Sequence, residues 1–348
     1  MLPPCPNPDE FEVCIICASP LEADAVCSMF DETYKSGSTV RHTQDQTINP
    51  QKYDYIMGRI AGHNVILARL PGIGIVYSAG ESRRLKERFK RIKLALLVGI
   101  CGAVPKRPDG HEISLGDVIS SSRDVIRYDL GKQYPFGFQW TDASEDSCLR
   151  PNGHIREFVA KLEMRREKLE RRACEFLRKT AGIGHLPGLS EDKLFRQAYR
   201  HKHQREQDYG TSIYFQNRQI CHDTIGLPCV DQGCDLNLLV PRNPPKAETS
   251  DNKPVLHFAN FASEGIVMDY AEDRDEIAQL EYVIAFETIA VGAWDNLPCM
   301  IVKGVRDYAD GYVSEEWEQY AAATAAACAK AILEEWIASP RLNYDCVN

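Results

Sequence analysis

No apolar run in the chain approaches the roughly 20 residues needed to cross a bilayer, so a membrane-spanning role is not expected. Basic residues are in the minority. The 41 Lys and Arg stand against 50 Asp and Glu, a formal net charge of −9, which argues against a general nucleic-acid binder. The N-terminal MLPPCPNPDE is polar and proline-rich and has neither the charged start nor the apolar core of a secretory leader. A soluble, cytoplasmic protein is expected. Ordered cysteine spacing is lacking too. The thirteen cysteines are dispersed and odd in number, and Cys14, Cys17, Cys299 and Cys328 fall in apolar runs, the pattern of reduced core thiols rather than of a disulfide scaffold. Cys221, His222, Cys229 and Cys234 do not have the spacing of a zinc ribbon, so neither a metal nor any other cofactor is expected.

What is present is enough to build a large core: 348 residues, 44% of them hydrophobic, fit one elaborated domain or one domain plus a subdomain. Phe11 to Ala18 is a continuous apolar run of strand length, and after Ser19-Pro20 a helix is expected from Leu21, with Glu22 in its first turn. Tyr53 to Ile60 and His63 to Leu70 read as a hairpin over Ala61-Gly62. PGIGIVYSAG then leads into a helix over Ile75 to Phe89, whose outer face is basic. Leu94 to Gly99 is another buried strand, opening into ICGAVP. Strands are also expected over Ile113 to Ser120 and Val125 to Lys132. From Trp140 the composition changes: 154–207 is rich in Arg, Lys and Glu with helical spacing, broken at 182–188. It reads as an inserted surface element, with a partner-binding element as the other reading. A proline-bearing loop follows over 241–254. The chain closes with the strand Val283 to Phe286, the small-residue segment Thr288 to Trp294, a strand over Cys299 to Val305 that ends in Arg306, Asp307, Tyr308 and Asp310, and an alanine-rich helix over Tyr320 to Leu333. Carboxylates just past the C-terminal ends of neighbouring buried strands lie where open α/β sheets bind ligands.

Three phrases make the pattern specific: FETIAVG (286–292), PCMIVKGVRDYAD (298–310) and WEQYAAATAAACAK (317–330). They resemble the nucleoside phosphorylase and methylthioadenosine/adenosylhomocysteine nucleosidase superfamily, and within it a divergent fungal branch often found at the N-terminus of ankyrin or NTPase-containing receptors. PGIGIVYSAG, VGICGAVP, ISLGDVIS and VLHFANFASEGIVMDYAEDRDEI extend the likeness over most of the chain. The resemblance implies a three-layer α/β/α sandwich around a mixed central sheet, as a single domain over residues 1–348 with a helical and looped elaboration over 140–250. It also implies a homodimer or dimer-based oligomer acting on a small molecule.

By the same resemblance Asp307 matches the acid that protonates a departing purine, and Glu22 matches the activator of the attacking water. Glu22 also has a plainer reading, as a first-turn helix acid. Gly72 and Gly74 match an anion- or sugar-binding turn at a helix N-terminus, while Cys101 and Gly102 fall in the base and sugar pocket. Ser263 and Glu264 lie in the base loop, where Glu264 replaces a glycine. True phosphorylases of the superfamily carry a phosphate-holding arginine where this chain has Leu97, and leucine offers phosphate no donors. Water is therefore the expected nucleophile. The family's ribose-holding Met-Glu falls on Thr288 and Ile289, and isoleucine accepts no hydrogen bond from a diol. Glu287 and Glu264 are candidate substitutes, Glu287 reading equally well as a strand-end acid paired with a helix terminus.

Two functions remain open on the sequence. One is hydrolysis of the N-glycosidic bond of a purine or related nucleoside. The other is a retooled member with the ribose site lost, either an enzyme on a different small apolar molecule, such as a secondary metabolite, or a non-catalytic sensing domain.

Overall fold

The continuous apolar runs leave no polar face for water, so they must be covered on both sides. A computed structural model describes residues 3–34, 55–128, 131–134, 137–140, 148–179, 185–188, 191–199, 201, 234–242 and 254–336. Strand β1 (Val13–Cys17) is followed by helix α1 (Pro20–Cys27), β2 (Glu32–Thr33), the hairpin β3 (Ile56–Ile60) and β4 (His63–Arg69), α2 (Ile75–Arg88) and β5 (Leu94–Ala103). Next come β6 (Val118–Ile126), the small hairpin β7 (Gly131–Tyr134) and β8 (Gly137–Trp140), β9 (Cys148–Leu149), α3 (Gly153–Glu163) and α4 (Arg166–Lys179). The last part holds β10 (Leu256–Ser263), α5 (Ala271–Glu281), β11 (Val283–Glu287), α6 (Ala290–Trp294), β12 (Cys299–Asp307) and α7 (Glu315–Glu335).

The main sheet is mixed and runs β11-β10-β6-β12-β5-β1-β4-β3-β2. Alternation along its strands builds two apolar layers. Cys14 and Ile16 of β1 with Ala95 and Leu97 of β5 face a cluster that includes Leu85 of α2, Ile277 of α5 and Ala293 of α6. Val13, Ile15, Leu94 and Leu96 face the other way, against residues of α1, α3, α4 and α7. This is the α/β/α sandwich that the sequence pattern implies. The sheet does one thing more. Ala285 and Phe286 of β11 also pair antiparallel with Ala103 and Gly102 of β5, so β5, β12, β6, β10 and β11 close into a ring.

One expectation is corrected. The separate strands expected over Ile113–Ser120 and Val125–Lys132 are replaced by the single β6, with β7 beginning at Gly131. Ile113 to Asp117 is a turn instead, with Gly116 at φ 81°. The buried Asp117 carboxylate holds it, accepting from the amides of Ser114 and Val255 at 3.0 Å each and lying 3.1 Å from His257 Nε2. These side-chain bonds to the backbone compete with a ladder.

Within 140–250, α3 and α4 pack into the layer around α7 through Ile155, Phe158, Leu162, Leu169, Ala173 and Phe176. The basic face of α4 pairs with the acidic end of α7, with Arg172 gripping Glu334 through two nitrogens at 2.6 and 2.7 Å. Two other pieces of this region, 191–199 and 234–242, are joined by the Phe195–Leu239 bridge and by Val240 N donating to Leu194 O. They reach the turn after β12, where the Tyr308 hydroxyl lies 2.6 Å from Asp192 and Arg242 stacks 4.8 Å from the Tyr308 ring. Cys221, His222 and Cys229 lie outside the described residues. Cys234 is buried with its Sγ 3.7 Å from His201 Nδ1. Among the described residues no group of three or more His, Cys, Asp or Glu is placed to hold a metal ion, and no helix is long and apolar enough to cross a membrane.

Candidate functional site

Ser19 caps α1, and the Glu22 side chain folds back over the helix start, its Oε2 accepting from the amides of Ala18 at 2.6 Å and Ser19 at 2.9 Å. The other oxygen reaches across to β5 and accepts from Ile100 N at 2.8 Å. That reach exists because residue 99 is glycine: a Cβ there would sit 1.9 Å from Glu22 Oε1. The first-turn helix acid and the carboxylate that points at β5 are thus one side chain.

Lys303 is paired in register with Gly99 on the adjacent strand β12. Its side chain is 2% exposed, and Nζ lies 3.8 Å from Glu22 Oε1 and 3.9 Å from Glu287 Oε2. Burial works against the ammonium charge, but the carboxylates of Glu22 and Glu287 outweigh it and hold Lys303 above the ordinary lysine range. Glu287 ends β11 and is buried. Its oxygens accept from Ile289 N at 3.1 Å and Ala290 N at 2.8 Å, so it caps the first turn of α6. The reading of Glu287 as a strand-end acid tied to a helix terminus describes these bonds, and the lysine is its second neighbour.

Thr288 is half-buried, and Ile289 is fully enclosed in the apolar cluster with Ala285, Phe286 and Ala290. Ser263 lies opposite Glu287 in the β10–β11 pairing, its Oγ accepting from Val291 N at 3.3 Å. Glu264 is buried, takes Glu287 O through its amide at 3.1 Å, and faces Arg127 at 3.7 Å. Gly74, at φ 116°, starts α2. Gly72 packs under Tyr77. The start of α2 abuts both α6, through Gly292 against Ser78 and Ile75, and the loop after β10, through Gly265 against Ile75.

Asp307 closes β12 next to Gly102 of β5, where a Cβ would come within 2.8 Å of Asp307 Oδ1. That oxygen accepts from Ala309 N at 2.9 Å, and Oδ2 takes the Arg306 guanidinium at 2.7 Å. Cys101, on the same strand as Gly102, is buried, and burial raises its thiol pKa far above the ordinary range. Two further acids share this end of the sheet. Asp269 is pushed up to about 6 by burial and then by the Asp307 charge, against the pull of Arg306. Asp310 is also raised to about 6, by burial first and Asp307 last, while the Tyr312 amide and Arg274 hold it down.

The structure therefore brings Glu22, Cys101, Gly102, Glu287, Thr288 and Asp307 to one end of the ring, with Ser263 and Glu264 on the strand beside them and Gly72 and Gly74 at its edge. Ile289 turns away into the core. Sequence reasoning missed Lys303, Gly99, Arg306 and Asp269. A single lysine in the otherwise apolar CMIVKGV was the available signal for the first.

A sequence profile described as Phosphorylase superfamily matches residues 12–182. That stretch, a little under half of the chain, resembles the phosphorylase superfamily. The chain is 29% identical over 331 residues to a nucleotide-binding leucine-rich repeat (NLR)-like protein of the fungus Hyaloscypha variabilis. The match covers 94% of this chain and 29% of that much longer relative. Among solved structures it is similar to the 5′-methylthioadenosine/S-adenosylhomocysteine nucleosidase of Neisseria meningitidis in complex with methylthio-immucillin-A, with a TM-score of 0.52 and 15% identity over 93% of this chain and 99% of that one. It is also similar to the futalosine hydrolase of Helicobacter pylori, with a TM-score of 0.51 and 13% identity over 94% and 99%. At these identities the likeness speaks for the fold alone.

Proposed function

We propose that this domain hydrolyses the N-glycosidic bond of a purine nucleoside or a closely related nucleoside. The observation that carries the reading is the convergence of Glu22, Lys303, Glu287 and Asp307 around the two β5 glycines, at the strand ends where such sheets bind ligands. In this reading Glu22, oriented by three amides and the lysine, takes a proton from the attacking water. A carboxylic acid at the other end of the cluster protonates the leaving base. The sugar passes through an oxocarbenium-like state that the buried carboxylates stabilise. Water is favoured over phosphate on charge grounds: the cation buried in this cluster, Lys303, is already flanked by two carboxylates, which repel an entering dianion, and Leu97 lies in the apolar cluster. The test is a panel of adenosine, inosine and methylthioadenosine with and without phosphate. Release of free base at the same rate in both, abolished by Glu22→Gln, supports the reading. Strictly phosphate-dependent release, or none, overturns it.

A second reading rests on Ile289 and Glu287. The position matched to the family's ribose acceptor is in the core, and both oxygens of the adjacent glutamate already accept from α6 amides. A ligand without a ribose diol fits such a site better, whether as a substrate or as the signal sensed by a longer receptor-like protein. Calorimetric binding of adenine without turnover of any nucleoside favours this second reading.

A further inference from the structure

The turn that carries the chain out of β12 hinges on one peptide plane. The N–H of Ala309 donates to Asp307 Oδ1 at 2.9 Å, and the carbonyl of the same unit, Tyr308 O, accepts from Arg274 Nη1 of α5 at 2.6 Å. A peptide unit is rigid, so it cannot rotate here without losing both bonds. Ala309 sits in the left-handed region at φ 50°, a conformation that a residue with a Cβ keeps only where its surroundings impose it. The Asp307 carboxylate is therefore aimed by the backbone at 308–309, and what fixes Tyr308 fixes that backbone.

Tyr308 is 1% exposed and is gripped by two pieces of the region inserted before β10. The piece 191–199 supplies Asp192, whose Oδ1 accepts from the Tyr308 hydroxyl at 2.6 Å, with Ile113 O 3.1 Å away on the other side. The piece 234–242 supplies Arg242, whose guanidinium lies 4.8 Å from the centre of the Tyr308 ring and 3.8 Å from Asp192 Oδ2. That guanidinium also donates to Ile113 O at 2.6 Å and Pro105 O at 3.4 Å. The grip is thus anchored on the segment leaving β5 and on the turn before β6. The first piece is tied down again beyond the turn, where Trp317 of α7 donates from Nε1 to Glu191 O at 2.8 Å.

We infer that the insertion is a working part of the site: Asp192 and Arg242 are positioning residues that, through Tyr308, hold the turn in which the Asp307 carboxylate is aimed. Neither is placed to touch a ligand in this role. Their effect on turnover rests on the hydrolytic reading above, while their effect on the Asp307 turn does not.

The test uses the full chain and begins with a readout that needs no substrate. In amide hydrogen exchange, the Ala309 N–H is compared with that of Leu96 in the central strand β5. Tyr308→Phe keeps the ring and loses the hydroxyl, and Asp192→Ala removes its acceptor. Each should speed Ala309 exchange relative to Leu96 by about tenfold, the worth of one hydrogen bond. Asp192→Asn retains an acceptor for the hydroxyl and should keep the wild-type ratio. Leu169→Ala, which weakens the packing of α4 and not this turn, should not raise it. A wild-type ratio in both Tyr308→Phe and Asp192→Ala overturns the inference, and so does an Asp192→Asn that loosens Ala309 as much as Asp192→Ala. The second readout is base release from adenosine, inosine and methylthioadenosine. Asp192→Ala should lower kcat by about ten- to a hundredfold with KM little changed, and Asp192→Asn should restore it. An Asp192→Ala enzyme that keeps its kcat although Ala309 is loosened overturns the positioning role alone. A wild type that releases no base overturns the hydrolytic reading, and the exchange ratios then decide the inference by themselves.

Discussion

Lys303 shows how far a single side chain sets the character of this site. An ammonium in the middle of a central strand would ordinarily be intolerable, and it is held here because two buried carboxylates flank it. Removing one member of such a group leaves the others uncompensated, a cost of about 3–5 kcal/mol. Lys303→Met should therefore lower the urea unfolding free energy by that amount at neutral pH, and a loss under about 1 kcal/mol would mean that the carboxylates do not depend on it. Asp310 carries the opposite sign of effect. Its folded-state pKa of about 6 lies above the ordinary aspartate value of 3.8. The fold therefore favours the protonated acid: the stability this contributes is complete below about 4 and is lost as pH rises through about 6, amounting to about 2–3 kcal/mol. Asp310→Asn should leave the Tm near that of the wild type at pH 4 and raise it at pH 8, as followed by calorimetry. Much of this residue chemistry is legible in the sequence. Asp307 and Glu22 stand out by motif, and the missed Lys303 had a signal as the one charge in the run Cys299–Val305. Which oxygen each carboxylate commits to which amide is not legible, because that depends on Gly99 and Gly102 leaving room across a strand pairing.

At the scale of elements, the α4–α7 contact separates charge from packing. The basic composition of 154–207 reads as a surface property in the sequence, and the structure turns the charges of α4 toward Glu334 and Glu335 at the end of α7. Exposed pairs of this kind contribute about 0–1 kcal/mol each, whereas the apolar face of α4 buries Leu169, Ala173 and Phe176. Leu169→Ala should cost about 2–5 kcal/mol and Arg172→Ala under about 1 kcal/mol, both read from denaturant midpoints. Equal losses would show the ion pairs to be worth more than their exposure suggests. The alanines of α7 were readable as a helix but not for what they accomplish. Gly304 of β12 lies directly against the backbone of Ala321, where a Cβ would come within 2.0 Å of the carbonyl oxygen. Small residues on both sides set how near the helix can approach the strand, and periodicity alone does not reveal which strand that will be.

For the whole molecule, the layered architecture follows from the chain's apolar runs, while the closed ring does not. Pairing of β11 with β5 joins residues far apart in sequence, and nothing local in Val283–Glu287 distinguishes an edge strand from one that closes a ring. β12 is the last strand in order, yet it sits between β5 and β6 in the sheet. A fragment limited to residues 12–182, the stretch that matches the superfamily profile, lacks that strand along with β10 and β11. It should give no cooperative thermal transition by circular dichroism, while the full chain gives one. A cooperative fragment would mean that β5 and β6 can pair without the strand between them.

The position of β12 also bears on how the protein is made. Until a ribosome has passed Cys299–Asp307, the nascent polypeptide holds two half-sheets with a gap where their shared neighbour belongs. Its greasy flanks stay open to other chains until translation supplies the missing piece. Yield in cells should thus be governed by chaperone supply during synthesis, since the interval before β12 emerges is the vulnerable one.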